Sequence, residues 1–219
     1  MGERKVQNKI AKLVVNQEGY QVFNDLTLDT PDGTTQIDHI IISPFGIFVI
    51  ETKNLTGWIF GNTNQKQWTQ TIYGKKYRFQ NPLHQNYKHI KAVQNLLGVK
   101  ESIIFSIAVF VGKSEFKTEM PSNVVELRDL LPLVRSHEEV ILSDQDIEAF
   151  SEELSNPVYS DSSNQSKHIE NLQNNLENPI CPRCGKAMIL RTSRKGSSTG
   201  AEFWGCSGFP VCKATKKCQ

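Results

Sequence analysis

The stretch Gln36-Ile-Asp-His-Ile-Ile-Ile-Ser-Pro-Phe-Gly-Ile-Phe-Val-Ile-Glu-Thr-Lys53 decides the fold. Its two nearly unbroken apolar runs, Ile40-Ile-Ile42 and Ile47-Phe-Val-Ile50, flank Pro44-Phe-Gly46. Pro and Gly mark a turn, and short runs rich in Ile and Val bounded by turn residues read as strands. A strand with one solvated face alternates apolar and polar residues; one covered on both faces does not. The stretch therefore predicts two adjoining strands, 36–43 and 47–53, covered on both sides.

Outward from this pair, residues 3–15 place Val6, Ile10, Leu13 and Val14 at helical spacing, and 20–28 reads as a strand that reaches Pro31-Asp-Gly33 by a turn. Downstream, 67–73 and 76–79 flank Gly74-Lys75 as a hairpin. A helix begins near Asn81-Pro82 and stops at Gly98, since Pro suits a helix start and Gly its end. Residues 103–111 and 124–127 are strands, and 130–150 is mostly helical. Strands and helices mix in an α/β or α+β arrangement, of which α/β is the expected class. From 156 to 179 the composition turns to Ser, Asn and Gln, which predicts a linker or a frayed helix between a body of residues 1–155 and a small cysteine module at 180–219.

The chain has 219 residues, of which 38% are hydrophobic and 22% charged, and no apolar run approaches the roughly 18 residues of a membrane span. Membrane, fibrous and wholly disordered classes are excluded. The net charge of +2 conceals an asymmetry: residues 156–219 hold 9 Lys and Arg against 4 Asp and Glu, and 180–219 hold 8 against 1. A basic tail on a mildly acidic body points to a polyanionic partner. All five cysteines lie in that tail. An odd number with no apolar leader segment argues for metal ligation in a reducing, cytoplasmic setting rather than a disulfide scaffold.

If Pro44-Phe45 is a two-residue loop, Ser43 pairs with Gly46, and counting back sets Asp38 opposite Glu51. Such side chains sit about 4.5–5.5 Å apart, and Lys53 shares their face because side chains alternate along a strand. Facing like charges are destabilising unless compensated, and a hard divalent cation such as Mg²⁺ or Mn²⁺ compensates them. That cation can activate water and screen a phosphate while Lys53 orients the attack, which suits phosphodiester hydrolysis. A bulge at Gly46 would instead set Asp38 against Thr52. The same residues could also be solvated strand-end charges, an arrangement made harder by the strongly apolar strands that carry them.

Gly2-Glu3-x-x-Val6, the whole of 36–54, Gly57-Trp58 with Trp68, and Asn81-Pro-Leu-His-Gln85 resemble the nuclease-related domain, NERD, which is similar to the PD-(D/E)xK nuclease superfamily. The resemblance covers roughly residues 1–100. It implies a restriction-endonuclease-like mixed sheet flanked by helices, with Asp38, Glu51 and Glu3 as metal ligands, Lys53 as the catalytic lysine and Gln85 as a helix glutamine beside the site. Glu3 could equally be a first-turn acid favoured by the helix dipole, and Gln85 a surface amide. His39 and His89 are read as structural, His39 facing away from Asp38.

Cys181-Pro-Arg-Cys184 and Cys206-Ser-Gly-Phe-Pro-Val-Cys212 bracket 21 residues. Two close pairs on separate turns close a tetrahedral thiolate site for structural Zn²⁺, leaving no open position for catalysis, and Cys218 is left over. The segment around them resembles the zinc ribbons of bacterial type IA topoisomerases. That resemblance implies DNA contact, single-stranded and branched forms included. Arg183, Lys186, Arg191, Arg194 and Lys195 suit phosphates, and Phe203, Trp204 and Phe209 suit base stacking or a miniature core around the metal. Together these expectations describe a DNA nuclease tethered to a DNA-holding ribbon. The rivals are a non-catalytic DNA-binding or adaptor protein on a degenerate nuclease scaffold and, more distantly, an RNA-directed protein.

Overall fold

The computed structural model of the chain describes residues 2–16, 19–31, 33–160, 179, 181, 183–184, 186–193 and 200–217, with the backbone alone for 15, 16 and 217. The chain divides into two compact units, Met1–Thr30 with Thr35–Asn164, and Pro31–Thr34 with Gln165–Gln219.

In the larger unit, helix α1 (Gly2–Asn16) leads into strands β1 (Gln21–Thr30), β2 (Gly33–Ser43) and β3 (Gly46–Lys53). Next come β4 (Gly57–Phe60), β5 (Gln67–Ile72), β6 (Lys75–Gln80) and helix α2 (Pro82–Leu97). The unit continues through β7 (Ile104–Phe110), β8 (Ser114–Phe116), β9 (Val124–Glu126), α3 (Leu130–Arg135) and α4 (Asp144–Leu154). One sheet runs β1-β2-β3-β7-β9, with β2 antiparallel to β3 and with β3, β7 and β9 mutually parallel. A second runs β6-β5-β4-β8.

The apolar runs of β2 and β3 are covered on both faces. Ile41, Phe48 and Ile50 pack on Val6, Ile10 and Leu13 of α1 and on the short α3. Ile40, Ile42, Ile47 and Val49 pack on Ile90 and Val93 of α2 and on Ile147 of α4. The result is a three-layer sandwich with a continuous apolar centre; truncating a residue such as the fully buried Phe48 to Ala costs about 3–5 kcal/mol. The second sheet lays Ile59 and Trp68 against Phe110, with the Trp68 and Phe110 rings stacked at 6.3 Å.

The hairpin register is Ser43↔Gly46 through His39↔Ile50. Gly46 takes φ +127°, and a Cβ there would meet the Phe105 ring at 2.7 Å, so the turn both needs and admits only glycine. The bulged alternative is absent. Asn81 caps α2, accepting the Leu83 N–H (2.9 Å), and Gly98 ends the helix at φ +66°. One expectation needs correction. Val14 is 45% exposed rather than part of the apolar stripe, whose buried members are Val6, Ile10 and Leu13. The stretch 130–150 is mostly helical as expected, in two pieces: Ser143 and Asp146 form a reciprocal cap that starts α4 afresh, while the Ile141 and Leu142 N–H groups both donate to Pro44 O.

In the smaller unit, β10 (Met188–Thr192), β11 (Glu202–Cys206) and β12 (Thr215–Lys217) form an antiparallel sheet. Most of the expected linker, 161–178, lies outside the described residues, as do Arg194, Lys195 and Cys218. Among the described residues no helix is long and apolar enough to cross a membrane.

Candidate active site

Strand β3 carries Glu51 and Lys53 out of the apolar centre on one face, toward α2. Lys53 Nζ donates to Glu51 Oε1 (2.6 Å) and to Gln85 Oε1 (2.9 Å). The other Glu51 oxygen accepts from His89 Nε2 (3.0 Å), and His89 Nδ1 meets Thr35 Oγ1 at 2.9 Å. A carboxylate can only accept, so His89 donates to it from Nε2. Gln85 and His89 are four residues apart on α2 and so point the same way.

Asp38 approaches from β2. The ladder stops one pair short of it, at His39↔Ile50, and beyond that point the Asp38 Oδ2 accepts the Thr52 N–H at 2.7 Å. Its other oxygen has no hydrogen bond among the described residues. Asp38 shares the face of Ile40 and Ile42, which is also the face of Glu51, Val49 and Ile47. Burial above all, and then the Glu51 charge, push Asp38 up to about 7; the Thr52 N–H only partly offsets them, and Glu3 adds a further upward push against the pull of Lys53. For Glu51, burial is the largest single influence and acts upward, but His89 and Lys53 together outweigh it and hold the carboxyl below its ordinary value.

The site thus has a carboxylate that ionises only reluctantly at neutral pH beside one held ionised. A cation placed between them would stabilise both as anions, and hard carboxylate oxygens suit Mg²⁺ or Mn²⁺. Glu3 lies in the first turn of α1, whose start is seated by Gly2: a Cβ there would meet the Asn54 side chain at 2.6 Å and Val111 at 2.9 Å. Those contacts set Glu3 at the Lys53 end of β3. His39 takes a different course. Its Nδ1 bonds Asn24 Oδ1 at 2.7 Å, and burial lowers it to about 4, so it is a neutral ring tied to β1.

The cysteine module is built separately. Cys181, Cys184, Cys206 and Cys212 bring their Sγ atoms within 4.8 Å of one another, with Cys184 and Cys206 at 3.3 Å and Cys181 and Cys212 at 3.6 Å. Four thiolates about 2.3 Å from a tetrahedral Zn²⁺ would sit roughly 3.8 Å apart, so the set fits that ion. The Gly208 N–H donates to Cys206 Sγ (3.2 Å), the kind of bond that steadies a ligating thiolate. Trp204 is partly buried against Cys181, Met188 and Cys206. Arg191 lies across Gly205 and over the Phe209 ring at 5.5 Å, with Phe209 56% exposed and Phe203 half-buried. Arg183 and Lys186 are exposed.

The family of nuclease-related domains matches residues 1–111. A Bacillus anthracis protein described as uncharacterized is 37% identical over 178 residues, 79% of this chain and 82% of that one. The chain belongs to the nuclease-related domain family. The topoisomerase DNA-binding C4 zinc finger matches residues 178–219, the segment that gathers the four cysteines.

Seen as a nuclease-related domain, the chain gathers Asp38, Glu51, Lys53 and Gln85 at one end of β3. His89, read from sequence as structural, is part of the same group. It is only 2% exposed and holds the oxygen of Glu51 that Lys53 does not. The signal was present as the four-residue step from Gln85 on the helix that also carries the buried Asn86, Ile90 and Val93.

Proposed function

We propose that the chain is a divalent-metal-dependent deoxyribonuclease whose hydrolytic site is Asp38, Glu51 and Lys53, and whose cysteine ribbon holds the DNA being cut. The single observation that carries this reading is the convergence, at one strand end, of the buried Glu51 carboxylate and the half-buried Asp38 with an ammonium held by Gln85. Asp38 and Glu51, with Glu3 from α1, would hold Mg²⁺ or Mn²⁺, which supplies a bound water of lowered pKa and positive charge beside the phosphate.

The chain's own groups do the positioning. Thr52 N–H fixes the Asp38 carboxylate, and His89 fixes that of Glu51. Lys53, steered by Gln85, presents its ammonium to the attacking water or to the charge that develops on the phosphoryl oxygens. The ribbon contributes Arg183, Lys186 and Arg191 toward phosphates, with Arg194 and Lys195, and Phe203 and Phe209 toward bases. The body 1–155 and the ribbon 180–219 then act as two modules on one tether, 156–179, which keeps the bound strand at high effective concentration near the site.

A panel of labelled linear, nicked, branched and single-stranded DNAs with Mg²⁺ or Mn²⁺ tests the reading. Lys53→Ala is expected to lower cleavage by about 10²–10³ while DNA binding persists, in line with loss of one charge-stabilising group. One observation favours a non-catalytic scaffold instead: both Glu51 oxygens are already engaged, by Lys53 and by His89. Equal binding with no cleavage of any substrate under either metal, in the wild type as in Lys53→Ala and Glu51→Ala, would establish that alternative.

A further inference from the structure

From Thr52 to Lys100 the chain carries eight Lys and Arg residues and neither Asp nor Glu. That block builds the end of β3, then β4, β5, β6 and α2, in a body that is otherwise rich in acids. Register arranges its side chains in rows across the second sheet. Lys76, Thr71 and Trp58 are cross-strand partners, and Arg78, Thr69 and Phe60 form the next row. Partners in a row share a face. On the opposite face Ile59, Trp68 and Phe79 pack against Ala108 and Phe110, while Tyr77 at its edge stays exposed. The outer face therefore carries a column of cations on β6 and a column of aromatics on β4, with threonines between them, and exposes Trp58, Lys76 and Arg78. Glu115 continues the Trp58 row on β8, but Lys117 pairs with it and lies over the Trp58 ring at 4.9 Å.

A second observation points the same way. Tyr73 sits at the tip of the β5–β6 hairpin at φ +47°, a conformation suited to Asn or Gly, and its ring is fully exposed. A bulky residue in that conformation destabilises the turn without gaining any packing, which directs attention to function. Tyr73 and Trp58, with Ile72 and Lys113, line a cavity of about 650 Å³.

We propose that this face binds a single strand of DNA, its phosphates along Lys76 and Arg78 and its bases against Trp58 and Tyr73. Stacking accepts any base, while a duplex keeps its bases inside and offers the aromatics nothing to stack on. Only Asn54, Leu55 and Thr56 separate Lys53 from β4, so this face lies a short stretch of chain from the hydrolytic residues. The choice of DNA rests on the nuclease reading; the face itself rests on charge, register and exposure.

The test uses the full chain without added Mg²⁺ or Mn²⁺ and an oligo-dT carrying 5-iodouracil, photo-crosslinked and mapped by mass spectrometry. Crosslinks at Trp58 or Tyr73 are expected. Trp58→Ala with Tyr73→Ala should weaken oligo-dT binding about tenfold or more and leave a matched duplex unaffected. Lys76→Gln with Arg78→Gln should make the salt dependence shallower by about 1.4 in the slope of log K against log salt. Crosslinks confined to 180–219, unchanged oligo-dT affinity in the aromatic pair, or equal losses for strand and duplex would each overturn the proposal. Circular dichroism and melting of each variant show that the fold is intact, and the cation pair reads the same face through a different observable. Cleavage by the wild type without crosslinks at this face sinks the platform alone. Crosslinks without any cleavage sink the nuclease reading alone.

Discussion

Asp38 and His39 are neighbours in β2, and burial moves their protonation in opposite senses. Asp38 rises from 3.8 to about 7, so between pH 4 and 7 the native state binds the extra proton and this group's contribution to stability falls as pH rises. His39 drops from 6.5 to about 4, so the unfolded state binds the extra proton there and its contribution rises with pH. Glu51, held low by His89 and Lys53, gives stability that is lost only as pH falls below the usual carboxylate range. In protein without added divalent ions the first two slopes oppose each other across pH 4–6.5. Asp38→Asn keeps the acceptor for Thr52 and removes one slope. Its unfolding free energy is expected to climb with pH across that window and, at pH 7, to exceed that of the wild type by about 2–4 kcal/mol. Added Mg²⁺ should stabilise the wild type at pH 7 and leave the Asn variant unmoved; equal stabilisation of both would remove Asp38 from the ligand set. His89→Leu is a companion case. It strips a donor from a buried carboxylate, with an expected loss of about 1–3 kcal/mol and an acid limb of the cleavage profile moved to higher pH, and His89→Gln should restore much of both.

At the scale of elements, helix α2 is held by polar anchors as much as by apolar contacts. Asn81 sends its Nδ2 to Asn62 O, Thr63 O and Gln65 O, and Asn86 sends its own to Val49 O, Ser106 Oγ and Ile107 O. The second anchor locks the helix to β3 and β7 between the turns that carry Gln85 and His89. Asn86→Leu should therefore lower stability by about 1–3 kcal/mol in chemical denaturation and reduce cleavage through kcat more than KM, since the anchor touches no substrate. A cleavage rate unchanged by this substitution would mean that Gln85 and His89 are placed by apolar packing alone. The same helix shows where sequence reading succeeds and stops. Its ends were legible because Asn-Pro and Gly act locally. Its buried face was not, because Asn86 and His89 occupy that face and a hydrophobic pattern assigns polar residues to solvent. The β2–β3 register was legible because a two-residue turn dictates it, whereas the parallel pairing of β4 with the three-residue β8 depends on tertiary contacts that no local pattern encodes.

For the whole molecule, two units with separate sources of stability carry opposite charge. The body holds its core in a three-layer sandwich, while the ribbon's buried residues, among those described, gather around four thiols, too few to sustain a fold without an ion. Removing one ligand should thus affect the units unequally. Cys206→Ala is expected to lower the zinc content from one ion per chain toward none, measured by a colorimetric chelator on denatured protein, and to leave the principal melting transition, that of the body, within about 2 °C. Because 180–219 hold 8 Lys and Arg against 1 acid, losing the ribbon's structure should also weaken DNA capture. Under the nuclease reading this appears as a KM raised about 10-fold or more with kcat nearly unchanged at saturating DNA, since a tether raises local concentration without touching the reacting bond. A fall in kcat of the same size with KM preserved would instead place the ribbon in the chemical step. A body that melts together with the ribbon would show that the two units share one cooperative core.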